Sequence, residues 1–396
     1  MVEAPWLTIV GLGEDGPNAL TPASHNALQN AEFVMGAARH LSLLPPLDAK
    51  QITWPVPFAD GIPELLKLRG KCVVALASGD PFWYGSGNVI ARHLEPSEWT
   101  SIAGPATFSL AAAQMGWPLE DTLCVGLHAA PFSRLRPHLA AGSRAIVLLR
   151  DGAAVSELSE YLNAQGFGDS SLIVMESLGG PRQRVTPFGQ LSGPVQHPVC
   201  VAMSVKGDGT ALGTASGRAD DFFTNDGQIT KRPIRALTLS ALAPKFGEHL
   251  WDLGTGSGSI AIEWLLSHPS VSATAVEANP ERAERAKQNA LALGVDRLDV
   301  VTGQSLDVLA NLPSPDVVFV GGGLTQELLD ALWGILPVGC RFVTNAVTLE
   351  SEAIVAQAHA AKGGGLMRIE IANSKPLGSK RGWSSAYPIV QWSAVR

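Results

Sequence analysis

A strand, a glycine-rich turn, a helix and a second strand ending in an acidic residue follow one another in the second half of the chain. The apolar run Leu250–Leu253 predicts a buried strand, and the glycine-rich stretch 254–258 predicts a tight turn before a helix from about Ser259. The next predicted strand ends at Glu277. At the carboxyl edge of a parallel sheet, such a turn admits a ligand and such an acid reaches its ribose hydroxyls. The sequence therefore predicts a βαβ unit of a doubly wound α/β sheet with a ribose-bearing ligand at that edge.

The glycine spacing in this turn separates two classes of cofactor. Nicotinamide sites typically carry G-x-G-x-x-G, whereas these glycines occupy alternate positions after an aspartate. The resulting D-x-G-x-G-x-G pattern resembles motif I of the class I S-adenosylmethionine (SAM) methyltransferases. That resemblance implies that Asp252 helps to hold the amino acid end of SAM and that Glu277 binds its ribose. The other residues that it places in the cofactor site are Thr230, Gly254, Thr255, Gly256, Gly258, Gln304 and Gly321.

Three further glycine loops follow predicted strands in the first half, at Val10–Pro17, Ala77–Gly87 and Ile102–Ala113. Taken singly, each loop also fits an ordinary strand-to-helix turn, and Asp80 fits a turn or cap residue as well as a ligand contact. In this order the loops resemble the tetrapyrrole methylase family, which binds SAM through a fold unrelated to class I. The residues implied in this second cofactor site are Gly11, Gly13, Gly79, Asp80, Pro81, Gly85, Gly104, Pro105 and Thr107.

The two halves separate at a segment without a sustained apolar period, Val205–Asp221. We therefore predict a tetrapyrrole methylase domain over residues 1–208 and a class I SAM methyltransferase domain over 209–396. The expected fold class is α/β throughout. The first domain would have two α/β lobes (class III), and the second a Rossmann-like sheet of six or seven strands with a C-terminal hairpin.

This order of domains resembles the precorrin-6Y C5,15-methyltransferases (decarboxylating) of cobalamin biosynthesis. The resemblance implies methylation of C5 and C15 of a precorrin-type tetrapyrrole, with decarboxylation of its ring C acetate, and one SAM site per domain. No side chain is identified as a catalyst. The residues predicted to bind the substrate, which carries many carboxylates, are Lys231, Arg235, Gly322, Gly323, Asn345, Lys375, Lys380 and Arg381. Each lysine or arginine among them could equally be a solvated charge on the protein surface.

Composition narrows the possible partners and the cellular compartment. The net charge of −7 argues against nucleic acid and anionic membranes as partners, and no apolar run is long enough to span a bilayer. The four cysteines are far apart and the nine histidines are scattered, so we expect reduced thiols, a cytoplasmic location and no metal site. A homo-oligomer is expected by analogy with the two families.

Three other functions fit the sequence less well. A nicotinamide-dependent oxidoreductase would need the other glycine spacing. An RNA or protein methyltransferase with an accessory domain typically ends its fourth strand in N/D-P-P-Y, where this chain has three glycines, Gly321–Gly323. A non-catalytic SAM- or tetrapyrrole-binding module is disfavoured because both glycine sites look intact.

Overall fold

The computed structural model describes residues 5–396 and divides them into two compact units. The first unit ends at Thr210 and the second begins at Ala211, except that Phe132–Pro137 belongs to the second unit. Residues 205–219 contain neither helix nor strand. The predicted domain boundary, between residues 208 and 209, lies in this irregular segment.

The first unit contains two five-stranded sheets. One is entirely parallel, with strand order β3-β2-β4-β1-β5, and the other is mixed, with order β6-β7-β10-β8-β9. The strands are β1 Leu7–Leu12, β2 Phe33–Gly36, β3 Lys50–Thr53, β4 Val73–Ser78, β5 Trp99–Ile102, β6 Leu123–Gly126, β7 Arg144–Leu149, β8 Ser171–Glu176, β9 Arg184–Pro187 and β10 Val199–Ser204. The α-helices are α1 Pro22–Asn30, α2 Ala38–Leu43, α3 Gly61–Leu66, α4 Gly87–Ala91, α5 Thr107–Met115 and α6 Ala153–Ala164.

Burial on both faces explains why β1 and β4 form the centre of the parallel sheet. Leu7 and Ile9 point into one apolar cluster, while Val10 and Leu12 point into another on the opposite face. A strand covered on both faces needs a continuous apolar run rather than alternation. The helix after β1 begins as the sequence predicts, because Thr21 accepts the Ser24 amide at 3.1 Å and a proline occupies the first turn of α1.

The second unit is built on one seven-stranded sheet of order β13-β12-β11-β14-β15-β19-β16. Its first five strands are parallel, and β19 runs antiparallel to both of its neighbours. The strands are β11 His249–Leu253, β12 Ser272–Glu277, β13 Asp299–Thr302, β14 Val317–Val320, β15 Arg341–Ala346, β16 Gly365–Ile369, β17 Ala372–Leu377, β18 Lys380–Ser385 and β19 Ile389–Val395. The α-helices are α7 Arg232–Leu242, α8 Ser259–Ser267, α9 Pro280–Ala292, α10 Ser305–Val308, α11 Gln326–Ile335 and α12 Leu349–Lys362.

Both predicted α/β architectures are therefore confirmed, with one local correction in the second unit. The sequence predicts a loop over residues 374–383, but these residues form most of a separate two-stranded hairpin, β17–β18. Every residue of β17 is exposed, so the apolar periodicity that marks a half-buried strand is missing from it. Among the described residues, no helix is both long and apolar enough to cross a membrane.

Candidate functional site

Three loops of the first unit meet at the carboxyl ends of β1, β4 and β5. The Gly104 amide donates a hydrogen bond to the Gly79 carbonyl at 3.2 Å, which joins the second and third loops. A Cβ atom on Gly11 would lie closer than real Cβ atoms come to both the Gly79 oxygen and the Gly104 nitrogen. The absence of a side chain at Gly11 thus lets three backbones converge, and backbone groups at such a convergence can line a ligand.

The central loop is shaped by its own side chains. The Oδ1 atom of Asp80 accepts a hydrogen bond from the Phe82 amide at 2.8 Å, so the Asp80 side chain stabilises the turn, as one of its two interpretations from the sequence predicts. Pro81 is buried and packs against Gly85, while Tyr84 adopts a positive φ of 57°. A cofactor contact by Asp80 remains a prediction.

The remaining candidates of this first site lie on the flanking loops. Gly13 packs against the side chain of Asp15 in the loop after β1. Pro105 is exposed in the third loop, and Thr107 is the first residue of α5. The structure therefore brings all nine predicted residues of this site to one edge of the parallel sheet.

In the second unit, all of the predicted cofactor residues except Thr230 lie at or just after the ends of four adjacent parallel strands, β13, β12, β11 and β14. A Cβ atom on Gly254 would approach the Gly322 carbonyl to 2.6 Å, so the turn after β11 contacts the loop after β14. Glu277, at the end of β12, accepts the Gly256 amide at 2.8 Å and the Asn279 amide at 3.0 Å. Its carboxylate is therefore fixed against the glycine turn.

Asp252 lies beneath the same turn and is 1% exposed. Its Oδ2 atom accepts the Thr255 hydroxyl at 2.6 Å and the Ala261 amide at 3.1 Å. Its Oδ1 atom has no hydrogen-bond partner among the described residues. Burial raises the pKa of Asp252 to about 6, and the negative charge of Glu277 acts in the same direction. The site thus holds a buried acceptor that a cation would stabilise.

The other candidates surround this turn. Gln304 is the N-cap residue of α10 after β13, and Gly321–Gly323 follows β14. The Nδ2 atom of Asn345 donates to Thr238 at 2.9 Å, and its Oδ1 atom accepts from Gln391 at 2.9 Å. This amide is therefore oriented from both ends near the end of β15.

Thr230 and Lys231 immediately precede α7. A Cβ atom on Gly256 would lie 3.8 Å from the carbonyl oxygen of Gln228. The segment before α7 therefore passes beside the glycine turn. Lys231 is exposed there, whereas Thr230 is half-buried. The ligand contacts of both residues remain predictions.

Arg235 was predicted to bind the substrate, and the structure corrects this prediction. Its side chain is 0% exposed and donates to Glu263 at 2.6 Å and to Asp220 at 3.0 Å. It also donates to the carbonyls of Thr230 and Arg218. A guanidinium enclosed in this way cannot reach a macrocycle; it holds the segment before α7 against α8.

The three cations Lys375, Lys380 and Arg381 lie on the β17–β18 hairpin. All three are exposed, and the Arg381 Nε atom donates to Ser374 at 2.9 Å. The hairpin leaves the sheet between the end of β16 and the start of β19, where Ile369 pairs with Ile389. Val390 pairs there with Ala346, the last residue of β15, so the hairpin extends from the same carboxyl edge of the sheet as the glycine turn. Substrate contact by this cluster remains a prediction.

Glu263, a buried carboxylate on α8, is not among the residues predicted from the sequence. It accepts the Gly217 amide at 2.6 Å, the Arg218 amide at 2.9 Å and the Arg235 side chain. The signal was present, because Glu263 is the single charged residue in the apolar sequence SIAIEWLL. A lone acid in such a stretch indicates a buried partner.

Each of the two units matches a known protein family. The family described as Tetrapyrrole (Corrin/Porphyrin) Methylases matches residues 6–192, and the family described as Precorrin methyltransferase domain matches residues 221–396. The chain is thus an enzyme, a methyltransferase, and its methyl donor is SAM.

Relatives of full length share this arrangement. The chain is 44% identical over 399 residues to a precorrin-6Y C(5,15)-methyltransferase [decarboxylating] from Sinorhizobium sp., covering 99% of this chain and 97% of that protein. It is 38% identical to the protein of the same name from Mycobacterium tuberculosis (strain ATCC 25618 / H37Rv), covering 98% of this chain and 100% of that protein. A solved C-terminal domain of such an enzyme from Rhodobacter capsulatus is 48% identical, covers 47% of this chain and 100% of that chain, and has a TM-score of 0.46. With this identity over nearly its whole length, the chain belongs to the precorrin-6Y C5,15-methyltransferase (decarboxylating) family.

Proposed function

We propose that this chain methylates C5 and C15 of a precorrin and removes CO₂ from its ring C acetate, in cobalamin biosynthesis. The observation that carries the proposal is the presence of two separate glycine sites, each at the carboxyl edge of its own parallel sheet. Two sites of unrelated architecture suit two methyl transfers to different carbons. We assign C5 to the first unit and C15, with the decarboxylation, to the second.

The residues of both sites fit SAM. In the second unit, the unpartnered Oδ1 atom of Asp252 would face the amino acid end, and Glu277 would bind the ribose. In the first unit, the convergence at Gly11 leaves backbone groups to hold the cofactor. When bound, SAM supplies an electrophilic methyl group whose transfer leaves a neutral thioether.

Because the leaving group is neutral, the protein needs little acid or base catalysis. Its own residues contribute by holding the nucleophilic carbon in line with the methyl group, and orientation of this kind supplies much of an enzyme's acceleration. The loop after β14 suits a flat macrocycle, because Gly322 and Gly323 are exposed and carry no side chains. We propose that Lys231 and the hairpin cations attract the substrate's carboxylates.

The alternative functions have less support. The full-length relatives are methyltransferases, which excludes an oxidoreductase. The exposed glycines after β14 do not form the planar clamp that an amino-group methyltransferase needs. Absence of nucleic acid, a homo-oligomeric state and a cytoplasmic location remain predictions.

The reaction can be tested by mass spectrometry of metal-free precorrin-6B incubated with SAM and the full-length chain. We expect a product with two added methyl groups and one carboxyl group fewer. An unchanged macrocycle in the presence of bound SAM would remove the substrate assignment and leave the cofactor assignment standing. The same assay with the cobalt-bearing macrocycle would then follow.

The second-unit site should bind SAM more tightly as the pH rises through the Asp252 pKa of about 6. Only the ionised carboxylate attracts the ammonium group of SAM, so the affinity should increase about tenfold between about pH 5 and pH 7. The folded-state pKa exceeds that of the unfolded chain. Ionisation of Asp252 therefore lowers the stability of the fold as the pH rises from about 4 to about 6.

Isothermal titration calorimetry of the full-length chain over this pH range measures the effect. The first-unit site serves as an internal reference, because it contains no equivalent buried aspartate among its predicted residues. The Asp252→Asn variant should bind SAM weakly and without this pH dependence. A wild-type affinity that stays constant from pH 5 to 7 would remove Asp252 from the cofactor site.

A further inference from the structure

Glu14 is a buried carboxylate in the loop after β1, immediately after the Gly13 candidate. Its side chain is only 6% exposed, yet it forms ion pairs with two arginines. Arg39 of α2 is one, and Arg182, between β8 and β9, is the other, at 3.1 Å. The two guanidiniums thus come from elements attached to different sheets and meet on one acid, to which we refer as the Glu14 cluster.

The charges of this cluster do not balance. Two guanidiniums share one carboxylate, and no second carboxylate forms an ion pair with either of them among the described residues. His40 also contacts Arg39, at 2.9 Å, but burial and the charge of Arg39 lower the pKa of His40 to about 4. Since His40 is uncharged at neutral pH, the cluster has one positive charge in excess.

The excess charge lies within reach of solvent. The Arg182 side chain is 55% exposed and that of Arg39 is 27% exposed. Two arginines also share Glu263, but both of those side chains are buried, whereas Arg182 is half-exposed. A half-exposed guanidinium keeps N–H donors for another anion, and arginine can bind a carboxylate through two parallel hydrogen bonds.

The Glu14 cluster also borders the first cofactor site. The Arg39 Nη2 atom donates to the Ser78 hydroxyl at 3.0 Å, and Ser78 directly precedes Gly79. On the other side, a Cβ atom on Gly180 would lie 2.6 Å from the Glu14 carbonyl oxygen, so the loop carrying Arg182 packs against the first glycine loop. A ligand group held by these arginines would therefore be adjacent to the loops that hold the methyl donor.

We propose that Arg39 and Arg182, oriented by Glu14, bind a carboxylate side chain of the tetrapyrrole at the first unit's methylation site. The inference rests on the proposed function and adds to it a substrate anchor in the unit for which the sequence offered none. Glu14 is a positioning residue, while the arginines contact the substrate. The ligand class is an acetate or propionate group on a flat macrocycle.

The test measures C5 methylation by full-length variants on a precorrin already methylated at C15 and decarboxylated. Arg182→Gln should raise KM roughly tenfold to a hundredfold, with kcat within about twofold, because a charge-assisted hydrogen bond to the bound substrate is lost. Arg182→Lys should give an intermediate KM, because lysine keeps the charge and loses the bidentate geometry. SAM affinity should not change in either variant.

Arg69→Gln is the matched control, since Arg69 is 51% exposed, lies in the same unit and pairs with Glu98 at 2.8 Å. Its KM should equal that of the wild type. An unchanged KM in Arg182→Gln with a lowered unfolding temperature would show a purely structural cluster and overturn the proposal. An equal rise in KM in Arg69→Gln would do the same, because it would indicate a general effect of charge.

A binding measurement separates this inference from the reaction itself. Fluorescence titration of the full-length chain with uroporphyrin III, a polycarboxylate tetrapyrrole, requires no turnover. Weaker binding in Arg182→Gln than in Arg69→Gln would support the anchor even if the wild type failed to methylate C5. Equal binding by all three proteins would count against the anchor whatever the activity.

Discussion

The Gly11→Ala variant is expected to lose methylation at C5 by about a hundredfold or more while it keeps methylation at C15. The added Cβ would meet the Gly79 carbonyl and the Gly104 amide, and neither backbone group can rotate away as a side chain could. The three loops must then separate, which displaces every group that orients the methyl donor. The second unit has its own sheet and its own glycine turn, so its reaction should continue.

For Gly11→Ala, mass spectrometry of the products from precorrin-6B distinguishes the two reactions in a single assay. Gly189→Ala is the control in the first unit, because a Cβ there meets no atom within 4 Å. Gly254→Ala is the reciprocal variant, with its Cβ 2.6 Å from the Gly322 carbonyl. It should lose C15 methylation and decarboxylation but still methylate C5 of a substrate already methylated at C15. Loss of both reactions in either variant would contradict the independence of the two sites.

The second large effect concerns stability, and it is expected for Glu263→Gln. Glu263 is the carboxylate that compensates Arg235, which is 0% exposed, and it also accepts two backbone amides. Removing its charge leaves a buried guanidinium without its main partner. Breaking a buried pair in this way costs about 3–5 kcal/mol, which in a unit of this size lowers the unfolding temperature by about 10 °C.

Differential scanning calorimetry of the full-length chain should show this change in one transition, that of the second unit. Arg282→Gln breaks the half-exposed pair between Arg282 and Asp226 and serves as the control, with an expected loss of at most about 1 kcal/mol. The double variant Arg235→Met, Glu263→Leu should recover part of the stability, because it removes the Arg235 charge but still deprives the buried Arg218 side chain of its ion pair with Glu263. Equal loss in Glu263→Gln and in the control would mean that the buried network does not stabilise the unit.

The fold could be predicted from the sequence because its strands carry strong local signals. The apolar run before Gly254 and the acid at Glu277 fixed the positions of β11 and β12 within a few residues. The β17–β18 hairpin gave no such signal, since strands exposed on both faces have no apolar period.

The burial of Arg235 follows from the helical periodicity of α7. Thr238, Leu239 and Leu242 are buried on α7, and Arg235 precedes them at spacings of three, four and seven residues. A helical residue at those spacings shares their face. The family resemblance suggested a substrate contact for Arg235, whereas the period of the helix places its side chain in the interior.

The Glu14 cluster, in contrast, had no signal in the sequence. Arg39 and Arg182 are separated by more than half of the first unit's length, and neither the stretch GAARHLSLL around Arg39 nor the stretch GGPRQR around Arg182 indicates a partner. Their meeting depends on how two sheets pack, which no local pattern encodes.

The position of β19 has a consequence for how the second unit can evolve. Strand β19 pairs with β15 on one side and with β16 on the other, so the seven-stranded sheet is complete without any strand of the β17–β18 hairpin. Insertions, deletions and charge changes within residues 372–385 therefore leave the register of the sheet and the glycine turn undisturbed. Substitutions in the β17–β18 hairpin can therefore change which macrocycle is bound, while the seven-stranded sheet and its glycine turn keep the geometry that methyl transfer needs.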